Sequence, residues 1–218
     1  IEAGIGQFVF LKVGNSLSKP FSVASNESCL ELVVRKVGPM TAKAFELEVN
    51  DVVRIRGPYG HHEELPTDRP VYFVGAGCGI APIHHAATKH SGRKRFVIGT
   101  VTSSELLYVD KLEAMGKVTI STDDGSSGEQ GYVSDVLQRV LSEEKPDKAC
   151  FFNCGPEIAM QAVDKIERHY AHPRDIYHLV ERMTSCGVGI CGKCSIPSGE
   201  RACVDGPLFS AARFTPAE

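Results

Sequence analysis

"PVYFVGAGCGIAPIHHAATKH", residues 70–90, decides how the chain is read. An apolar run of the kind that fills a buried strand ends at Gly75. Gly77 and Gly79 follow, and a helical pattern runs from about Pro82 to His90. A strand handing over to a helix through glycines permits a tight turn and close backbone approach. The helix start, with Pro82 near its first turn, offers unpaired N–H groups to a phosphate. The standard dinucleotide fingerprint is not met, because Ile80 stands where its third glycine belongs. Two readings stay open: a phosphate site, or a tight strand–helix turn and nothing more.

Downstream, the same alternation repeats. "RFVIGTV" precedes "SELLYVDKLEAM", "KVTISTDD" precedes "YVSDVLQRVLSEE", and "ACFFNCG" precedes "PEIAMQAVDKIERHY". Apolar strands each followed by an amphipathic helix predict a parallel α/β sheet over 67–178. In such a sheet the turns "NCGPEIAM" (153–160) and "STDDGSSG" (121–128) gather beside the glycine turn at the strands' carboxyl ends, where ligands bind. Gly155 and Pro156 shape the first of these. In the second, Asp123 and Asp124 are either solvated turn acids or a ribose or adenine contact. Three such loops favour a dinucleotide over a lone phosphate. The loop "GTVTSSE" (99–105) has no arginine to meet a 2′-phosphate and ends on Glu105, which leans to NAD over NADP.

Upstream, residues 1–66 carry short, evenly spaced strand patterns: "QFVFLKV", "PFSVAS", "CLELVVRKV" and "DVVRIRGPYG". They predict a small antiparallel β-barrel. His61 and His62, after the "GPYG" turn, read as an exposed polar turn rather than a metal site. The tail, 179–218, holds four of the eight cysteines, Cys186, Cys191, Cys194 and Cys203, at C-x4-C-x2-C-x8-C. Disulfides, a zinc clip and a redox cluster all compete for that pattern. Structural zinc usually takes two C-x2–4-C pairs across a longer loop, whereas C-x4-C-x2-C…C is the plant-type [2Fe–2S] spacing. Gly187, Gly189 and Gly192 let the loop wrap a cluster and turn N–H groups toward its sulfurs. Cys29, Cys78 and Cys150 read as small buried or turn residues.

Composition bounds the rest. The 218 residues are 42% hydrophobic and 23% charged with a formal net charge of −3, and no basic block suggests nucleic acid. No apolar run approaches membrane-spanning length, and no charged n-region with an apolar core opens the chain. The cytoplasm is the expected compartment, where clustered cysteines more often bind metal than pair as disulfides.

Taken in order, "KPFS", "GPYG", "GAGCGIAP", "NCGPEIAM" and the terminal cysteine run resemble the ferredoxin–NADP reductase superfamily. Within it, "ERMTSCGVGICGKC" and "RACVDGPLF" are similar to the electron-transfer subunits of heterodimeric NAD-dependent dihydroorotate dehydrogenases. The resemblance implies three parts: an FAD-binding barrel (1–66), an NAD-binding α/β domain (67–178) and a [2Fe–2S] domain (179–218). It implies that Lys19, Pro20, Phe21 and Ser22 hold the flavin ring and its ribityl–phosphate chain, that Val33, Val34 and Arg35 line FAD, and that Met40 and Thr41 close over its pyrophosphate. Gly75, Gly77 and Gly79 would take the NAD phosphates, and Asp123 its ribose or adenine. Cys154, before Gly155–Pro156, would lie against the nicotinamide, with inert packing as the alternative. Cys186, Cys191, Cys194 and Cys203 would ligate the cluster.

Three departures accompany the resemblance. Lys19 replaces the usual arginine and loses its bidentate fork. Met40 replaces a usual glycine, and the barrel looks short at its start. The implied function is electron transfer between NAD(H) and an FMN-containing dihydroorotate dehydrogenase catalytic subunit, as a two-plus-two heterotetramer, in pyrimidine biosynthesis. The alternatives are the reductase subunit of a sulfhydrogenase or of an NADH-dependent ferredoxin:NADP oxidoreductase, and a non-enzymatic iron–sulfur redox sensor.

Overall fold

The computed structural model describes residues 1–213; positions 214–218 of the expected cluster segment lie outside the described residues. The chain begins with an antiparallel sheet of β1 (Phe8–Lys12), β2 (Lys19–Ser25), β3 (Glu31–Leu32) and β4 (Arg54–Tyr59), in the order β3-β2-β1-β4. Bulges between Phe8 and Phe10 and between Val23 and Ser25 are of the kind that bend and twist a strand. The long strand expected from "CLELVVRKV" is laddered only at Glu31–Leu32, and Val33 to Arg35 run on without strand structure. A short helix, α1 (Pro39–Ala44), follows. It accommodates the methionine where the family has glycine, because Met40 sits in its first turn, buried at 5% exposure. The Thr41 hydroxyl accepts the N–H groups of Val37 and Gly38, both at 2.9 Å, and fixes that turn.

The second sheet contains β5 (Val71–Ala76), β6 (Lys94–Thr100), β7 (Lys117–Thr122), β8 (Glu129–Gln130), β9 (Cys150–Cys154), β10 (Ile176–Leu179) and β11 (Leu208–Ser210). Their order is β11-β10-β9-β5-β6-β7-β8, parallel throughout except for the antiparallel β10–β11 pair. The helices are α2 (Ile80–Lys89), α3 (Val109–Glu113), α4 (Val133–Glu144) and α5 (Glu157–Glu167). Alternate strand residues face opposite sides. Phe73, Phe96 and Phe152 pack with Ile80, Ile83 and Leu112, while Tyr72, Val74, Val97 and Phe151 pack with Leu137, Leu141, Met160 and Val163. With both faces covered, these strands read as continuous apolar runs rather than alternating ones.

Two helices differ from the sequence reading. α2 starts at Ile80, preceded by a 3-10 turn over Gly77–Gly79, so Pro82 is its third residue. The helix expected across "SELLYVDKLEAM" shrinks to Val109–Glu113, because Tyr108 takes a left-handed φ of 57°. That conformation lets its ring stack on His84 at 4.2 Å and its hydroxyl donate to Glu31. Tertiary contact overrides helical propensity here. Among the described residues no helix is long and apolar enough to cross a membrane.

The tail is built into both layers. β11 extends the parallel sheet, and Val180, Cys194, Ile196, Ala202, Cys203 and Phe209 share a core with Phe8 and Phe10 of β1.

Candidate functional site

Strand order changes direction between β5 and β9, where the chain leaves β5 toward β6 on one side and later adds β9 on the other. At such a switch point the loops after adjacent strands part and leave a crevice. The loops here are the glycine turn and the Cys154–Gly155–Pro156 turn, so the structure brings those expected residues together. Their closeness explains the glycines. A Cβ on Gly79 would overlap the backbone carbonyl of Cys154, and one on Gly155 would come within 2.7 Å of Ala76 Cβ. Gly77 needs its freedom for a φ of +55°. Cys154 is 1% exposed, and burial pushes its thiol well above the ordinary range.

The third loop packs on the loop after β6. Asp124 accepts the N–H and hydroxyl of Ser126 at 2.9 and 2.6 Å, which holds its carboxyl below the usual range. Ser126 in turn accepts the Ser103 N–H at 2.8 Å. Asp124 is therefore spent on the loop's own fold, while the Asp123 side chain is exposed.

Between the two sheets lies a cleft of about 700 Å³. Lys19, Pro20, Phe21, Ser22, Val33, Arg35, Met40 and Thr41 all border it; of the expected flavin contacts, Val34 does not. Cys78 and Ala81 join from the glycine turn and α2, and Leu179 to Thr184, Ala202 and Pro207 join from the tail. One cleft thus touches all three segments. Its walls are apolar where a ring would lie and cationic at Lys19, Arg35 and Arg182, which suits a planar cofactor with a diphosphate. Arg35 Nη2 also pairs with Glu105 Oε1 at 2.6 Å, tying the cleft to the loop after β6.

Glu181 is the residue that sequence reasoning missed. It opens the cysteine segment, in a stretch read only for its thiols, and it lines the cleft. Protein crowding raises its pKa although the side chain is open to the cleft. No periodicity or motif marked it; only the return of the chain from β10 past β2 places it there.

The four tail cysteines gather beside this cleft. Cys194 and Cys203 are buried, Cys186 is half-buried and Cys191 is exposed. The sulfurs pair: Cys186 is hydrogen-bonded with Cys191, and Cys194 with Cys203. Among the described residues no three Cys, His, Asp or Glu side chains converge on a single-ion site. Two thiolate pairs are the donor set a two-iron cluster takes, one pair per iron. The N–H groups of Val188 and Gly189 point at Cys186 Sγ (3.4 Å) and Cys203 Sγ (3.3 Å). N–H donors, first that of Cys191 and then that of Val188, lower the Cys186 thiol to about 6; burial and the neighbouring Cys194 thiol raise Cys203 to about 11. The residues present therefore fit a [2Fe–2S] cluster. The cleft is likewise shaped for FAD. His61 and His62 stack on each other in an exposed turn.

Comparison with known proteins gives family matches toward both ends of the chain. Residues 1–63 match the family model of the oxidoreductase FAD-binding domain, and residues 181–215 that of the iron–sulfur cluster binding domain of dihydroorotate dehydrogenase B. A Methanocaldococcus jannaschii protein is 38% identical over 94% of this chain and 78% of its own length. A Thermococcus kodakarensis protein is 34% identical over 98% of this chain and 88% of its own. Both are described as probable dihydroorotate dehydrogenase B (NAD(+)), electron transfer subunit. Among solved structures, an NADH-dependent reduced ferredoxin–NADP oxidoreductase chain superposes with a TM-score of 0.86. It is 28% identical and covers 99% of this chain and 80% of that one.

Proposed function

Since the chain belongs to the family of dihydroorotate dehydrogenase B electron transfer subunits, we propose that it passes electrons between NAD(H) and a separate FMN-bearing catalytic subunit, in the oxidation of dihydroorotate to orotate. FAD and a [2Fe–2S] cluster are its cofactors, and FAD supplies the conversion between a two-electron hydride and the single electrons a cluster accepts. The observation that carries this reading is the shared cleft: residues from the antiparallel sheet, the glycine turn and the cysteine segment border one cavity.

Each residue's work is positioning. Phe21, Ser22 and Val33 flank the ring, with Pro20 beside them. Lys19 and Arg35 meet the diphosphate, with Val34 between the two cleft residues Val33 and Arg35, and Met40 and Thr41 hold α1 against it. Gly75, Gly77, Gly79, Gly155 and Pro156 shape the NAD crevice, Asp123 meets the ribose, and buried Cys154 underlies the nicotinamide end. Cys186, Cys191, Cys194 and Cys203 hold the cluster. Met183, Val188, Ile190 and Val204 form an exposed apolar collar around the cysteine loop, where the catalytic subunit docks to form a two-plus-two assembly in the cytoplasm. Three segments with these boundaries, 1–66, 67–178 and 179–218, divide the labour.

Anaerobic purification with flavin, iron and sulfide analysis tests this. The protein is expected brown-yellow, bleached by NADH, and co-purifying with an FMN protein that oxidises dihydroorotate. A colourless or zinc-only protein overturns the reading. A second reading, the reductase part of an NADH-dependent ferredoxin:NADP oxidoreductase, is favoured by the similarity over 99% of the chain, and a different co-purifying partner would select it.

A further inference from the structure

Oxidation of NADH to NAD⁺ releases two electrons and one proton, and an iron–sulfur cluster can carry away only the electrons. In the opposite direction the same stoichiometry requires one proton to enter. Each nucleotide turned over therefore moves one proton between the flavin cleft and solvent.

Among the described residues bordering the cleft, Glu181 is the sole carboxylate. It also borders a second, smaller cavity of about 40 Å³, with Gly155, Glu157, Gln161, His178 and Arg182 around it. That volume admits a water molecule, and these polar groups give it partners. At the outer rim, Arg182 Nη1 lies 3.2 Å from Glu157 Oε2, with the Glu157 side chain 45% exposed. On the inner wall, buried His178 presents Nε2 to Asp164 Oδ1 at 3.0 Å, and Asp164 reaches the surface through Arg168 at 2.6 Å.

We propose that this small cavity is a proton port, and that Glu181 carries the proton between it and the flavin cleft, with the His178–Asp164 pair forming its inner wall. The proposal rests on the flavin reading above. Glu181 is the residue that touches both spaces and can both take and give a proton. Crowding, which raises its pKa toward the working range, suits that task. Cys78 borders the cleft but is not among the residues around the port. The other titratable or charged residues lining the port are Glu157, Arg182 and His178.

The test uses the cofactor-loaded protein and Glu181→Gln, which keeps size and removes the exchangeable proton. Single-turnover bleaching by NADH needs no separate proton and is expected within a few-fold of wild type. Steady electron delivery from NADH to cytochrome c is expected to fall by about 10²-fold and to recover with added acetate, as a lost general acid–base group does. Reduced-minus-oxidised infrared difference spectra should contain a carboxyl band that Glu181→Gln abolishes, a readout independent of turnover. Glu181→Asp should restore part of the rate. Equal loss of both rates, loss of neither, or a fall without acetate rescue overturns the port. Absence of flavin from the wild-type protein instead overturns the electron-transfer reading itself.

Discussion

Two glycine-rich loops look alike on paper: the nucleotide turn "GAGCGIAP" and the cysteine loop "CGVGICGKC". Their glycines answer to different neighbours. In the nucleotide turn, Gly79 is glycine because the backbone carbonyl of Cys154 lies where a side chain would go. In the cysteine loop, Gly187, Gly189 and Gly192 have φ of +81°, +74° and +71°; a Cβ would meet the Phe10 and Tyr59 rings at Gly187 and Val204 at Gly189, while Gly192 faces open space. The first loop closes on the fold, and the fold shapes it before any ligand arrives. The second closes on side chains at Gly187 and Gly189 and on sulfur atoms through the N–H groups of Val188 and Gly189, so part of its shape follows from what those sulfurs hold.

The largest effect should therefore come from Gly79→Ala. Its added methyl meets the backbone of a central strand, which cannot step aside, and the cost is about 3 kcal/mol or more. Urea denaturation is the measurement, with little folded protein recovered as the extreme outcome. A variant within about 1 kcal/mol of wild type would break the contrast, because overpacking of a rigid site cannot be that mild.

Next comes Cys203→Ser. Cys203 is buried at the inner side of the loop, yet its sulfur is expected to hold iron rather than fold. Iron and sulfide should fall to background and one-electron reduction of cytochrome c should be lost, while FAD content and bleaching by NADH persist. Parallel loss of flavin would mean that the loop, which borders the cleft through Ala202, also shapes that cavity.

The sequence made the α/β layer legible because its strands are buried on both faces and its turns are glycine-marked, as at Val71–Ala76 and Cys150–Cys154. The cysteine spacing was legible for a chemical reason, since ligand geometry fixes it. The antiparallel sheet was harder: Val33 to Arg35 read as strand, but Val33 and Arg35 border the cleft without strand structure, and α1 was hidden by a methionine set against an expected glycine. Tyr108 and Glu181 were not legible at all. Each owes its role to a partner distant in sequence, the His84 ring for Tyr108 and the cleft itself for Glu181.

A smaller effect separates strain from collision. Gly77→Ala and Gly192→Ala both force a left-handed φ on alanine with nothing nearby to clash. Each is expected to cost about 1–2 kcal/mol, one from each loop. Thermal melting of the cofactor-loaded protein gives the comparison. If Gly192→Ala costs markedly less than Gly77→Ala, the cysteine loop is the softer of the two, which sharpens the distinction between a fold-shaped and a ligand-shaped loop.

The smallest expected change lies under the nucleotide turn and has the opposite sign. Glu167 is wholly buried, accepts Asn153 Nδ2–H at 2.7 Å on one oxygen, and leaves its other oxygen and Asn153 Oδ1 without a hydrogen-bond partner. Burial, with only partial relief from Asn153, drives its pKa well above the ordinary carboxyl range. A carboxyl whose folded pKa is raised binds its proton more tightly in the folded state. Below the unfolded pKa both states are protonated and nothing is lost; above it, the folded state is penalised increasingly until its own pKa is passed. Glutamine carries a permanent N–H in place of that proton and can complete the pair with Asn153. Glu167→Gln should thus leave stability unchanged near pH 4 and raise it by about 1 kcal/mol at pH 8, read from urea midpoints at the two values. A gain that is the same at both pH values would mean that Glu167 is already ionised in the folded protein, and that the layer beneath the turn tolerates charge as the exposed cysteine loop does.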